Sequence, residues 1–475
     1  MIPSSLSRRR FLKSAGLAGL ATGLTLPPLS AAKPPPRVAA GKARNVIFLV
    51  SDGMNIGTLM LAHQYQLRRM NRSSAWVQLI ESKDAAVHRG LLDTGSANSM
   101  VTDSAAAGSS WGCGHRVNNG TLNITPDGKA QRTILEKAKE TGRKTALVTT
   151  TRVTHATPAS FAVATENRNA EDLIAEKYLD LRPDILLGGG ARHFDPTART
   201  DGRDLAGEFS RAGYKLFRSA QDWPCLDSND RLLGLFHQTH LPFEVDRLNT
   251  PTLREQIPSL AEMSRRSLAH LDTHPGGFFI QIEAARVDHA AHANDIAATL
   301  LDQIAFDEAV QVALKFVEGR EDTLLIVTTD HGTGGLQVNG RGPSYSHTDQ
   351  HFDRILTHTS YDNFLAGFPP GPIKVSAFAR ELPRIFPGTL PDEPIEEILA
   401  PVNKARGARG GGSWSLGGAM RPHLLQATSI GWTSHEHTGE FVEFTAMGPG
   451  SDHFGRLILN KDVHWHMCEA LGIRA

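Results

Sequence analysis

Five short apolar runs recur along this 475-residue chain, and each stops at small or acidic residues. They are NVIFLVSDGM from Asn45, KTALVTTTRV over 144–153, DILLGGG over 184–190, FFIQIEA over 278–284 and TLLIVTTDHG over 323–332. A run with no polar alternation has no side to turn toward water, so each reads as a strand buried on both faces. Between them lie helical patterns such as IAATLLDQIAFDEAVQVALKFV over 296–317, where Leu300, Ile304, Val310, Leu314 and Val317 keep a three-to-four spacing. Strands and helices in alternation restrict the chain to the α/β class, with a central, mainly parallel sheet flanked by helices on both faces. Sites in such sheets form at the carboxyl ends of strands.

Ionisable residues collect at those ends. Asp52 closes the first run, Glu283 the fourth, with Asp288 and His292 beyond it, and Asp330–His331 the fifth; His437 sits in SHEHTGE, inside a strand-like stretch over 429–448. A lone Asp at a strand end is usually a helix cap, and a lone His a satisfied polar residue. Four carboxylates and three imidazoles at one sheet edge are different, because unpaired carboxylates repel one another and raise each other's pKa. Divalent cations resolve that conflict. Mixed Asp/His donors without thiolate suit zinc, and an all-oxygen subset suits magnesium. The 21 histidines make imidazole ligands plentiful.

Two further stretches bear on chemistry. In MVTDSAAAGSSWG, Ser104 stands where a loop gives way to a helix built on three alanines. Taken alone, Ser104 or Asp103 is an N-cap. A helix N-terminus also favours a bound phosphate, and a serine beside a metal ionises readily to a nucleophile. In THATPASFAVATENR, Thr157–Pro158 opens a helix with Arg168 near its far end, and an arginine fork can grip two phosphate oxygens.

Fifty basic residues balance fifty acidic ones, so no global field favours nucleic acid or an anionic membrane. The N-terminus is read as a twin-arginine export signal over 1–32: SRRRFLK, then SAGLAGLATGLTL, then SAA at Ser30–Ala32. That apolar part is too short and Gly-rich for a stable membrane anchor. A Pro/Ala-rich linker over 33–44 follows, then one catalytic domain over 45–475, with insertions expected at about 191–262 and 336–430, the latter holding RGARGGGSWSLGGAM, read as a loop. The reading implies passage through the twin-arginine export machinery to the periplasm or the exterior. Cys113, Cys225 and Cys468 are too few for a disulfide framework, and which pair could bond is left open.

DGM, TDSAAAG, ATPA…R, E-x4-D-x3-H, TDHG and EHTG occur here in one order. By these motifs the chain resembles the alkaline phosphatases over nearly all of 45–475. The resemblance implies that family's sheet with crown-like insertions, and hydrolysis of phosphate monoesters through a phosphoserine on Ser104. It implies one zinc on Asp288, His292 and His437, and a second on Asp52, Asp330 and His331 with Ser104 at its open position. Magnesium would sit on Asp52, Thr157 and Glu283. Arg168 would bind phosphate, oriented by Asp103, and the enzyme would be a homodimer.

His155 and His289 stand near the implied magnesium site, where some members carry Asp and Lys. They are read as supporting or phosphate-contacting groups, and they leave the identity of the third metal open. His347, His351 and His358 are expected on a polar surface loop, and His435, His464 and His466 exposed or packed. A sulfatase would need a Cys/Ser-x-Pro-x-Arg setting that SAAAG lacks. A phosphodiesterase has less use for Arg168, and a non-catalytic binding protein has none for Ser104.

Overall fold

The apolar runs become the middle of a ten-stranded sheet. The computed structural model describes residues 43–474 except 224, 226, 228 and 407–410. The expected leader and all of the linker but Ala43 and Arg44 lie outside the described residues. The strands are β1 (Asn45–Val50), β2 (Val87–Asp93), β3 (Lys144–Arg152), β4 (Ile185–Gly189), β5 (Tyr214–Phe217), β6 (Arg231–Leu235) and β7 (Phe278–Glu283). They continue with β8 (Thr323–Thr328), β9 (Gly332–Thr333), β10 (Gln337–Val338), β11 (Ile430–Gly431), β12 (His437–Thr438), β13 (Val442–Met447) and β14 (Arg456–Leu459).

The large sheet runs β14-β2-β13-β8-β1-β7-β3-β4-β6-β5. Every neighbouring pair is parallel except those of β13, which lies antiparallel to β2 and β8. The pairs β9–β12 and β10–β11 form two small antiparallel sheets. Alternation along β1 feeds two apolar cores: Val46, Phe48 and Val50 pack on one face with Trp111 and Phe161, and Ile47 and Leu49 on the other with Trp76 and Phe306. The helix Ile296–Val317 matches its sequence reading, capped by Asp295, whose carboxylate accepts from the Ala298 N–H at 3.1 Å.

Two sequence readings need correction. Residues 191–262 do not stand outside the sheet, since β5 and β6 form its edge. Their four and five residues are too short to carry a readable period. The segment read as a Gly-rich loop, RGARGGGSWSLGGAM, enters a helix over Gly411–Thr428. Leu416, Met420 and Leu424 recur every four residues and are buried, and that packing overrides the poor helix propensity of the glycines. With the other helices of 348–405, it builds a third apolar core against Leu300 and Ile304.

Register fixes the site. Val50 of β1 pairs with Glu283 of β7 on one side and Thr328 of β8 on the other. Asp52, Glu283 and Asp330 therefore leave three adjacent strands at one edge. Gly53 makes the turn after Asp52 at φ +76°, and a Cβ there would lie 2.6 Å from Cα of Asp288. Replacing Gly53 with Ala should cost ~1–3 kcal/mol of stability and loosen the Asp52–Asp288 spacing. Urea denaturation and bound-metal analysis test this; a variant matching wild type in both would refute the constraint.

Candidate active site

Asp103 takes the capping role at the helix Ser104–Cys113, its Oδ1 accepting from the Ala106 N–H at 2.9 Å. Ser104 is left as the first helical residue, buried, with Oγ 3.3 Å from Nε2 of His331. The serine therefore serves no cap and faces a histidine on the β8 side.

Around it, three fully buried carboxylates each have one oxygen hydrogen-bonded and one without a hydrogen bond: Asp52 Oδ1, Glu283 Oε1 and Asp330 Oδ2, the last 3.2 Å from His331 Nε2. The held oxygens accept from Thr157 Oγ1 (3.4 Å, Asp52), Thr149 Oγ1 (2.6 Å, Glu283), and the Gly53 and His331 N–H groups (3.0 Å each, Asp330). Burial first, and then the neighbouring carboxylates Asp330, Asp288 and Glu283, push Asp52 well above the usual carboxylate range. Burial likewise raises Glu283 to about 8 and Asp330 to about 7. Asp288 behaves oppositely: burial would raise it, but His292, His437 and His331 outweigh that and hold it well below the usual range. Unpartnered buried oxygens on crowded carboxylates are what divalent cations satisfy, so the donor set fits metal.

Donor atoms of three groups lie within 4.8 Å of one another: Asp288, His331 and His437; Asp52, Asp330 and His331; and Asp52, His155 and Glu283. His292 Nε2 adjoins the first group, 3.4 Å from Asp288 Oδ1 and 3.1 Å from His437 Nε2. The far ring nitrogens are oriented from outside. His437 Nδ1 donates to the Thr102 carbonyl at 2.8 Å, and His292 Nδ1 donates to the His435 carbonyl. Both imidazoles thereby present Nε2 inward.

Arg168 is not on the helix expected to carry it. That helix, Ala156–Ser160, is only five residues long. Arg168 instead follows it in a loop, where its N–H donates to the Gly120 carbonyl at 2.9 Å and its guanidinium to Asp103 Oδ2 at 2.9 Å. It also reaches His155 Nε2 at 3.3 Å. Burial, then Arg168 and Arg152, lower the His155 imidazole to about 3. His289 lies beside His155, ring centroids 5.5 Å apart, and its Nδ1 accepts from Arg286 at 2.8 Å.

All thirteen residues singled out from the sequence thus gather at one edge of the sheet. Several neighbours were missed. His240 packs on His289 with centroids 4.4 Å apart and meets Arg152, and Arg286 holds His289. Trp414 stacks on His292 at 4.8 Å, and Thr333 donates to Asp288 at 2.6 Å. Arg286 was visible inside EAARVDHAAH and Thr333 just after TDHG, whereas His240 and Trp414 have no local signal. His435, expected exposed or packed, orients His292, while His347 and His358 are exposed and His464 is buried against the Trp111 carbonyl. The three cysteines are free thiols. No helix among the described residues is long and apolar enough to cross a membrane.

A serine at a helix N-terminus, set among Asp and His donors at the carboxyl edge of an α/β sheet, defines a metal-dependent phosphoric ester hydrolase. The sequence profile of the alkaline phosphatase family matches residues 43–366. The repressible alkaline phosphatase of Saccharomyces cerevisiae is 36% identical over 338 residues, covering 65% of this chain and 59% of that protein. Alkaline phosphatase 3 of Bacillus subtilis is 28% identical over 476 residues, 99% of this chain and 97% of that protein. The solved alkaline phosphatase of Thermus thermophilus superposes with a TM-score of 0.83 at 36% identity, covering 91% of this chain and 92% of that one. The chain belongs to the alkaline phosphatase family.

An acid whose pKa is higher folded than unfolded keeps more protons in the native state, so its ionisation destabilises the fold. For Glu283 and Asp330 the window opens near the unfolded value of ~4 and closes at about 8 and about 7. Metal-stripped protein should therefore lose stability as pH rises from about 7 to 8, above the ~6.5 at which unfolded histidines give up their protons, and saturating zinc should abolish the loss. Urea midpoints in chelator and in zinc check this. Equal midpoints at both pH values without metal would contradict it.

Proposed function

We propose that the chain hydrolyses phosphate monoesters to alcohol and inorganic phosphate through a phosphoserine on Ser104. The observation that carries this is the Ser104 hydroxyl, uncommitted to any cap and 3.3 Å from His331, at the edge of the unpartnered carboxylate oxygens. Two zinc ions are assigned, one to Asp288, His292 and His437 and one to Asp52, Asp330 and His331, with magnesium on Asp52, Thr157 and Glu283. When bound, such cations supply Lewis acidity and offset the negative charge of the serine and leaving oxygens.

The protein's own groups then have defined parts. Ser104 Oγ, its proton lost to solvent, attacks phosphorus; an O–P bond forms, the ester O–P bond on the opposite side breaks, and the leaving oxygen takes a proton from water. The alcohol leaves. Water next attacks the phosphoserine from the vacated side, regenerating Ser104 and releasing phosphate. Arg168, fixed by Asp103, offers its guanidinium fork to the non-bridging oxygens. The amide N–H groups of the first helical turn add partial positive charge where the phosphoryl group rests.

The third metal depends on His155. Its donor nitrogen lies within 4.8 Å of the Asp52 and Glu283 oxygens, which weakens magnesium there and lets zinc or cobalt compete. Export by the twin-arginine route, a periplasmic or secreted location and a homodimeric state belong to the same proposal. They rest on the leader sequence and on the family.

Replacing Ser104 with Ala should lower turnover of p-nitrophenyl phosphate by about 10³-fold or more and abolish acid-stable phosphate labelling. Labelled phosphate still trapped on that variant would overturn the assignment. The bis-ester and the sulfate should turn over far more slowly than the monoester; a faster bis-ester would favour a diesterase. Replacing His155 with Asp should raise bound magnesium per chain, measured by elemental analysis, and an unchanged magnesium content would remove His155 from the third site.

A further inference from the structure

A second group of metal-ligating side chains lies away from the strand ends. Gly450, at φ +82°, leads into a short 3-10 turn, Ser451–Phe454, which lays His453 beside the C-terminal helix Asp462–Leu471. On that helix His466 and Glu469 are three residues apart and share a face. The rings of His453 and His466 are parallel to within 8°, centroids 5.1 Å apart, and Glu469 Oε2 lies 3.7 Å from His453 Nε2. One donor atom from each of the three falls within 4.8 Å of the others.

The arrangement is partly built and partly free. His466 is braced, its ring meeting the fully buried Phe454 edge-on at 5.3 Å. His453 and Glu469 are exposed and can rotate. Asp452 and Asp462 add negative charge around His466. Two parallel imidazoles repel when protonated. A divalent cation replaces that repulsion with two bonds, and Zn–N bonds of ~2.0–2.1 Å are reached when the exposed His453 and Glu469 side chains turn in toward His466. Two imidazoles and one carboxylate without thiolate form a zinc-type set, with water completing the tetrahedron.

We propose that His453, His466 and Glu469 form a surface site for one zinc ion, separate from the catalytic cations, that ties the 451–454 turn to the C-terminal helix. That helix braces the far end of the helix beginning at Ser104. His464 Nδ1 donates to the Trp111 carbonyl at 2.9 Å, and Trp465 Nε1 to the Gly114 carbonyl at 3.2 Å. At 1.5 Å per residue the two contacts lie ~10 and ~15 Å from the serine. Zinc here stabilises the chain and does not touch substrate.

The test uses the full protein with its catalytic sites saturated and zinc alone as the added ligand. Equilibrium dialysis with elemental analysis counts zinc per chain, and thermal unfolding follows Tm through the zinc titration. The double variant His453→Ala with Glu469→Gln changes two exposed side chains. It should bind one zinc fewer per chain and lose the last zinc-dependent rise in Tm, with p-nitrophenyl phosphate turnover unchanged. Equal zinc content and an equal Tm rise in variant and wild type would overturn the site. A drop in turnover alongside the lost zinc would overturn its separateness.

Discussion

Mutual repulsion among Asp52, Glu283 and Asp330, buried at the ends of three adjacent strands, is the constraint to which the rest of the architecture answers. Apolar cores on both sheet faces exclude water from beneath these groups, so solvent screens them poorly. The same exclusion makes any cation placed there bind strongly. Stability and catalysis are therefore set by one balance: charge the interior cannot tolerate alone becomes a binding energy for metal.

Asp103 shows how the elements around that centre are coupled. One oxygen caps the helix that starts at Ser104, and the other accepts from Arg168 and from the Gly120 N–H. A single carboxylate thus fixes where the serine begins and where the guanidinium ends. Because it is occupied on both oxygens, it has little capacity left to draw a metal away from the neighbouring cluster.

How much of this was legible follows from which signals are local. The central strands β1, β3, β4, β7 and β8 were readable because burial on both faces leaves continuous apolar runs. At the margin, β2 has a mixed burial pattern, and β5, β6 and β14 span only four or five residues, too few for a period to emerge. The candidate metal-binding residues that gather at the strand ends were readable because each sits beside a strand end or inside a compact motif. Trp414 and His240 were not, because each reaches the site from a distant segment through tertiary packing. The 411–428 helix was hidden by its glycines, whose propensity argues for a loop until Leu416, Met420 and Leu424 find their core.

The wall facing the carboxylate floor has the opposite character. Arg152, Arg168 and Arg286 each contact a histidine, His240, His155 and His289 in turn, and those three rings pack on one another. Burial and guanidinium charge hold all three imidazoles well below their ordinary pKa, so they stay neutral while the arginines carry the charge. A neutral ring that accepts from an arginine on one nitrogen carries its proton on the other, which is left as a hydrogen-bond donor. Positive charge on this side is therefore fixed in side chains that do not titrate, and on the other side it must come from cations. A phosphoryl group between the two meets cationic partners across the neutral to alkaline range.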